Sequence, residues 1–265
     1  MPGQLKLRKV ISASRRTDLI AHYPGQLAHR LRDLGDHVHT VVVWTKDVTN
    51  LLRHEELREA LAFAGQIFVH WTITGLGGSF LEPHVPPPAN QLALLAELLA
   101  YLGDPRRLHW RYDPLISARR GHENVSNVGL DMFRALASPL ASARVAVVHT
   151  SFVTLYPKVL RRLASAGVEV IDLPANERLA FLRQLSASAD DMGIRMVTCC
   201  EPAFGRQRCI DGDLLMELHP THEPCRDDRA REQRELCGCT ASLDVGAYLP
   251  CPNRCLYCYA HPAGS

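Results

Sequence analysis

No stretch of this chain is apolar for long enough to cross a bilayer. The longest candidate, residues 92–102, is broken by Glu97 and falls well short of the about 20 residues that a helical span needs. No membrane association is expected. The first ten residues, MPGQLKLRKV, lack the apolar core and small-residue cleavage site of a secretory signal, and a cytoplasmic location is expected. Neither sign of charge is in excess: 30 Lys and Arg face 28 Asp and Glu, for a net charge of +2. A nucleic-acid partner usually announces itself as a clustered basic stripe, so none is indicated. The arginine-rich segment from Arg226 to Arg234 also carries Asp227, Asp228, Glu232 and Glu235, the make-up of a solvated linker or helix.

The chain does have nine cysteines. A reducing cytoplasm keeps thiols free, so metal binding is a better account of them than disulfides. With 46% hydrophobic and 22% charged residues, the composition is that of an ordinary globular protein. One barrel-sized domain over residues 1–265 is expected, with a cysteine-rich region at 199–260 inside it.

Short β-rich runs alternate with longer helical patterns over the first 200 residues, the sign of repeated βα units. Strands are predicted at 10–14, 40–44, 67–74, 107–112, 144–151, 168–173 and 194–199, with a further one at 242–248. Helices are predicted near 24–34, 50–64, 88–102, 127–137, 157–166 and 175–192. Gly35, Gly65, Gly103, Gly167 and Gly193 stand where helices should stop, since a left-handed C-cap favours a residue without Cβ. Pro24, Pro88 and Pro157 stand at helix starts, where a missing N–H costs nothing. Seven or eight such repeats fit a closed parallel (β/α) barrel of the TIM type better than an open doubly wound sheet.

Polar residues follow the predicted strands: Arg15, Arg16, Thr17 and Asp18 after the first, Thr45, Lys46 and Asp47 after the second. Arg111 and Asp113 close the fourth, Ser151 the fifth, and Glu201 follows Cys199 and Cys200. In a barrel these ends converge on one face, where chemistry is done. Helix caps are an equally good account of Thr17, Thr45 and Asp47. In WRYDP, Arg111 and Asp113 share strand parity and can pair inside the mouth. Arg16, Asp18, Lys46, Arg111, Asp113 and Glu201 are therefore the candidate catalytic residues.

The strongest local signal is CPNRCLYCYA, which spaces Cys251, Cys255 and Cys258 by three and then two residues. One loop can wrap three thiolates around a cluster. A 4Fe-4S cubane ordinarily takes four cysteines, so three leave one iron open. The motif resembles the cluster-binding signature of the radical S-adenosylmethionine enzymes, and Tyr257 occupies the aromatic position before the last cysteine. The resemblance implies that the open iron chelates S-adenosylmethionine and that the predicted strand at 242–248 leads into the cluster loop. Because the motif follows the repeats, the barrel reads as circularly permuted. No GGE-like segment follows residues 10–14.

Over its full length the chain resembles the DUF1848 family. The matching runs are ISASRRTD (11–18), WTK (44–46), WRYDP (110–114), SFVTLYPK (151–158), CGCTASLDVGAY (237–248) and CPNRCLYCYA (251–260). That resemblance implies a shared fold and iron-sulfur site, and places single family cysteines at Cys199 and Cys209. With Cys237 and Cys239 these make four thiolates, enough to close a second, auxiliary cluster. Cys200 and Cys225 are left over. Four thiolates also suit a structural zinc, and His219, His222 and Cys225 form another plausible zinc set. His70 and His149 are expected to be satisfied interior side chains.

Three functions follow. The leading one is a radical S-adenosylmethionine-like enzyme with one or two 4Fe-4S clusters and an electron donor such as a flavodoxin or ferredoxin. Tyr257, Arg16 and Asp18 would then hold the cofactor, and Arg15, Lys46 and Arg111 would orient anionic groups. The others are an electron-transfer or redox-sensing protein and a zinc-stapled binding protein.

Overall fold

The computed structural model describes residues 7–231 and 233–260. Ten strands are present: β1 (Lys9–Ala13), β2 (Val38–Thr45), β3 (Gln66–Thr72), β4 (Leu108–Arg111), β5 (Ser117–Arg120), β6 (Glu123–Ser126), β7 (Val147–Thr150), β8 (Val168–Val170), β9 (Arg195–Thr198) and β10 (Leu243–Asp244). The helices are α1 (Leu19–His22), α2 (Pro24–Leu34), α3 (Thr49–Arg53), α4 (Glu55–Ala62), α5 (Pro88–Leu92), α6 (Leu95–Leu102), α7 (Leu130–Ser142), α8 (Pro157–Ser165), α9 (Ala175–Asp191) and α10 (Gly212–Leu218). None is long and apolar enough to cross a membrane among the described residues.

Seven strands form one parallel sheet in the order β10-β1-β2-β3-β4-β7-β9. The chain therefore winds steadily in one direction, as in a barrel, and never reverses as in a doubly wound sheet. The closed barrel expected from the repeat count is not formed: among the described residues β9 and β10 remain the two edges. Two shortfalls explain this. The run at 168–173, expected as a barrel strand, instead yields the short β8, which pairs antiparallel with β5 in a separate sheet of order β6-β5-β8. Of the strand predicted at 242–248, only Leu243 and Asp244 pair with β1.

Strands of a parallel sheet buried on both faces are near-continuously apolar, and VHTVVVWT in β2 has that character. Ile11, Ala13, Val41, Val43, Val69, Trp71, Leu108, Trp110, Val148 and Met196 face the core shared with the helices. The opposite face is more polar. Its Thr40, Gln66, His70, His109 and His149 are buried beside Val10, Val42 and Phe68, because the segment after β9 folds over them. Ile210, Leu215 and Leu218 of that segment complete this second core, and Gln66 Nε2 donates to the Leu215 carbonyl at 2.5 Å.

Gly35, Gly103, Gly167 and Gly193 follow their helices with positive φ, as left-handed stops require. Gly65 does not. A Cβ there would lie 2.6 Å from the His39 carbonyl oxygen and strike the His219 ring, so this glycine is needed for close approach. The helix predicted at 88–102 is interrupted between α5 and α6, where Gln91 turns inward and donates to the carbonyls of Lys46 and Thr72.

Candidate active site with two cysteine groups

The C-terminal ends of β1, β2, β3, β4, β7 and β9 converge with the Cys251 loop on one cavity of about 440 Å³. Arg15, Arg16, Asp18, Lys46, Arg111 and Asp113 line it, as do Cys199, Cys209, Cys237, Cys239, Cys251, Cys255, Tyr257 and Cys258. Both cysteine groups thus meet one space. Glu201 lies outside this lining. Cys200 takes a positive φ of 58° and the chain enters a short turn at Pro202–Phe204, which leads Glu201 away from the strand end.

The Cys251 loop has almost no regular structure, so it is held from outside. Tyr23 Oη donates to the Pro250 carbonyl at 2.5 Å, His22 Nε2 lies 2.9 Å from Asn253 Oδ1, and Leu256 N donates to the Leu81 carbonyl at 3.0 Å. Arg162 donates to the Cys258 carbonyl at 2.7 Å. Thr17 Oγ1 donates to the Ala247 carbonyl at 2.9 Å and accepts from Leu249 N at 3.1 Å. Thr17 is therefore a fastener of this loop.

Behind the loop, Lys46 Nζ donates to Glu82 Oε1 at 2.8 Å and to Tyr257 Oη at 3.1 Å. Thr74 donates to the same carboxylate oxygen at 2.8 Å, and Tyr257 Oη also donates to it. Burial pulls the Lys46 ammonium down, but the Glu82 carboxylate outweighs it and holds Lys46 above its ordinary range. Burial pushes the Cys255 thiol well up, with Lys46 partly opposing. Deprotonation of Cys255 therefore needs a further positive partner, as a bound metal supplies. Burial also raises Cys251. Asp18 accepts from Ala21 N at 2.9 Å, Lys46 N at 2.8 Å and Thr45 Oγ1 at 3.1 Å. Burial raises its carboxyl despite these bonds, and its acceptor capacity is largely spent within the chain.

On the other wall the second group forms a string of thiols. Cys199 lies beside Cys209, Cys209 beside Cys239, and Cys239 beside Cys237, each close enough to shift its neighbour's thiol. Cys209 N also donates to Cys239 Sγ at 3.2 Å, and Arg234 donates to Cys199 Sγ at 2.8 Å. The bond from Cys209, with Arg234 beside it, brings Cys199 down to about 6. Cys239 is lowered by bonds from Cys209 and Cys237, whose own thiols are raised as the donors. Arg111 pairs with Asp113, which also accepts from Ser151 Oγ at 2.5 Å. Arg15 and Arg111 lie 4.9 and 5.1 Å from the Trp44 ring centroid.

A tetrahedral zinc with Zn–S bonds of about 2.3 Å would put its sulfurs about 3.8 Å apart. Among the described residues, the ligand set whose donor atoms all lie within 4.8 Å of one another is His70, His109 and His149; neither cysteine group is that tight. His219, His222 and Cys225 are not gathered within that distance either. His219 Nδ1 accepts from Thr221 Oγ1 at 3.0 Å, and burial raises Cys225 to about 11.

Glu82 and Arg234 are the site residues that the sequence did not single out. Glu82 has no local signature, but Arg234 stands three residues before Cys237 in a segment already marked as basic. No curated protein and no solved structure matches the chain. A family described as a domain of unknown function, DUF1848, matches residues 33–260, a span that takes in β2 to β10 and both cysteine groups. The chain belongs to the DUF1848 family.

Proposed function

We propose that the protein is an iron-sulfur enzyme in which Cys251, Cys255 and Cys258 hold a 4Fe-4S cluster with one open iron, and Cys199, Cys209, Cys237 and Cys239 hold a second, fully ligated cluster. The observation that carries this reading is that both groups, together with Arg15, Lys46, Arg111 and Asp113, line a single cavity at the C-terminal ends of the parallel strands. When bound, an open-iron cluster supplies one-electron reduction and a coordination site for S-adenosylmethionine or a substrate atom.

The chain's own residues would position and enclose. Lys46, held charged by Glu82, offers a cation beside the cysteine loop, and Tyr257 is locked by the same carboxylate. Arg15 has its Nε buried without a partner, and its guanidinium is free to receive an anionic group of substrate or cofactor. Arg111 is committed to Asp113 and would act with it as a unit. Arg16 donates to the Gly246 carbonyl at 3.2 Å and lies 5.2 Å from the Tyr248 ring, so it would meet a cofactor only by exchanging that bond. An external electron donor such as a flavodoxin or ferredoxin is part of the proposal. The charged side chains gathered at this cavity favour the enzyme over a bare electron carrier, which would need only exposed clusters.

The test is anaerobic reconstitution followed by S-adenosylmethionine. The reduced protein should change its electron paramagnetic resonance signal when the cofactor is added, and slowly release 5′-deoxyadenosine. Cys255→Ala should abolish both effects. A reducible signal indifferent to the cofactor would transfer the assignment to electron transfer or to direct substrate binding at the open iron, and a protein that binds zinc without iron would end the cluster reading.

A further inference from the structure

His70, His109 and His149 stand on neighbouring strands β3, β4 and β7, on the sheet face away from the helices. His70 is in register with His109, and His149 with Arg111. All three are buried, at 0%, 5% and 1% exposure. Their donor atoms all lie within 4.8 Å of one another. Rings from outside fix them: Trp44 stacks on His70 at 4.0 Å, and Phe68 meets His109 edge-on at 4.7 Å.

The hydrogen bonding leaves lone pairs over. His70 Nε2 is 2.8 Å from the Cys209 carbonyl. A carbonyl only accepts, so Nε2 carries the proton and Nδ1 is a bare acceptor. That Nδ1 is buried and has no partner. His109 Nδ1 and His149 Nε2 share one proton at 2.9 Å, and His149 Nδ1 is likewise buried without a partner. A histidine that donates one ring N–H to a carbonyl and keeps its other nitrogen unprotonated and unpartnered within such a cluster has the arrangement of a metal ligand. A merely structural cluster would leave these buried nitrogens uncompensated.

We propose that His70, His109 and His149 bind one divalent first-row metal ion, with zinc the best match to three imidazoles. The site is distinct from both cysteine groups and does not depend on the iron-sulfur reading. Three neutral rings bring no charge, and Arg111 and Arg195 oppose a cation here. Arg111 is offset by its pairing with Asp113.

The triad is enclosed, so the metal should be supplied while the chain folds. Full-length protein produced in medium supplemented with zinc should retain about one zinc per chain more than His109→Gln/His149→Gln. The zinc X-ray absorption edge of that extra equivalent should report nitrogen neighbours at about 2.0–2.1 Å and no sulfur. Cys251→Ala/Cys255→Ala/Cys258→Ala should keep it. Equal zinc in the wild type and the histidine variant, or zinc with sulfur neighbours alone, would overturn the proposal. If the double variant does not fold, the wild-type spectrum decides by the same criterion, nitrogen supporting the triad and sulfur alone refuting it. Iron and sulfide measured on the same samples report separately on the cluster reading.

Discussion

Glu82 is the acceptor around which one rim of the cavity is assembled. Its carboxylate is 1% exposed and receives Lys46, Thr74 and Tyr257. Removing one partner of a buried ion pair leaves an uncompensated charge and costs about 3–5 kcal/mol, whereas replacing both can be close to neutral. Lys46→Met should therefore destabilise the fold by about 3–5 kcal/mol in urea unfolding, and Lys46→Met/Glu82→Gln should recover much of that loss. Equal stability of Lys46→Met and wild type would mean that solvent reaches the carboxylate. Lys46 was legible in the sequence because it follows a strand, as barrel-mouth residues do. Glu82 was not, because it lies in an irregular segment between β3 and α5 and meets its partners only through tertiary folding. Glu201 illustrates the converse: proximity to a strand end places a residue at a mouth only if the chain has not already turned.

Between elements, the C-terminal end of α10 meets the starts of β2 and β3 in a close junction. His39 and His219 stack with centroids 4.4 Å apart, and Gly65 leaves the space they need. Gly65→Ala should cost about 1–3 kcal/mol, the usual penalty of overpacking, measured as a lower urea midpoint. Burial lowers the pKa of both histidines, and His39 further lowers His219. The unfolded chain then binds more protons than the folded one as the pH drops below about 6.5. This contribution to stability is full above that pH and is lost as the pH falls toward the lowered native values. His219→Asn, which retains an acceptor for Thr221, should flatten the fall in urea midpoint between pH 7.5 and 5.5. An unchanged slope would place the acid sensitivity elsewhere. The helices were legible because their period and their proline and glycine boundaries are local. A strand does form within 168–173, but its place in the barrel was mistaken because an apolar run does not say which partner it pairs with, and β5 captured β8 from outside the main sheet.

At the scale of the whole molecule, the segment from Cys199 to Thr240 takes the place that further strands would hold in a closed barrel. Apart from α10 it has little regular hydrogen bonding, and its buried apolar side chains are few: Ile210, Leu215 and Leu218 with Cys209, Cys225, Cys237 and Cys239. Elements with few apolar contacts open locally without global unfolding. Four of the chain's nine cysteines, Cys199, Cys209, Cys237 and Cys239, bring the two ends of the segment together, so a metal group bound there would close a long loop and hold the cover against the sheet. The helices and the parallel sheet have their own core and should outlast its loss. Arg226, Arg229 and Arg231 are exposed cleavage sites on this cover. Cys237→Ser/Cys239→Ser, or metal stripping of the wild type, should speed trypsin cleavage at these arginines about tenfold or more while leaving far-ultraviolet circular dichroism nearly unchanged. Cys251→Ala/Cys255→Ala/Cys258→Ala should not accelerate it, because that loop is fastened by Thr17, Tyr23 and Arg162. Cleavage as slow in the Cys237→Ser/Cys239→Ser protein as in wild type would show that the apolar contacts of α10 alone secure the cover, and that the four thiols serve the cavity and not the fold.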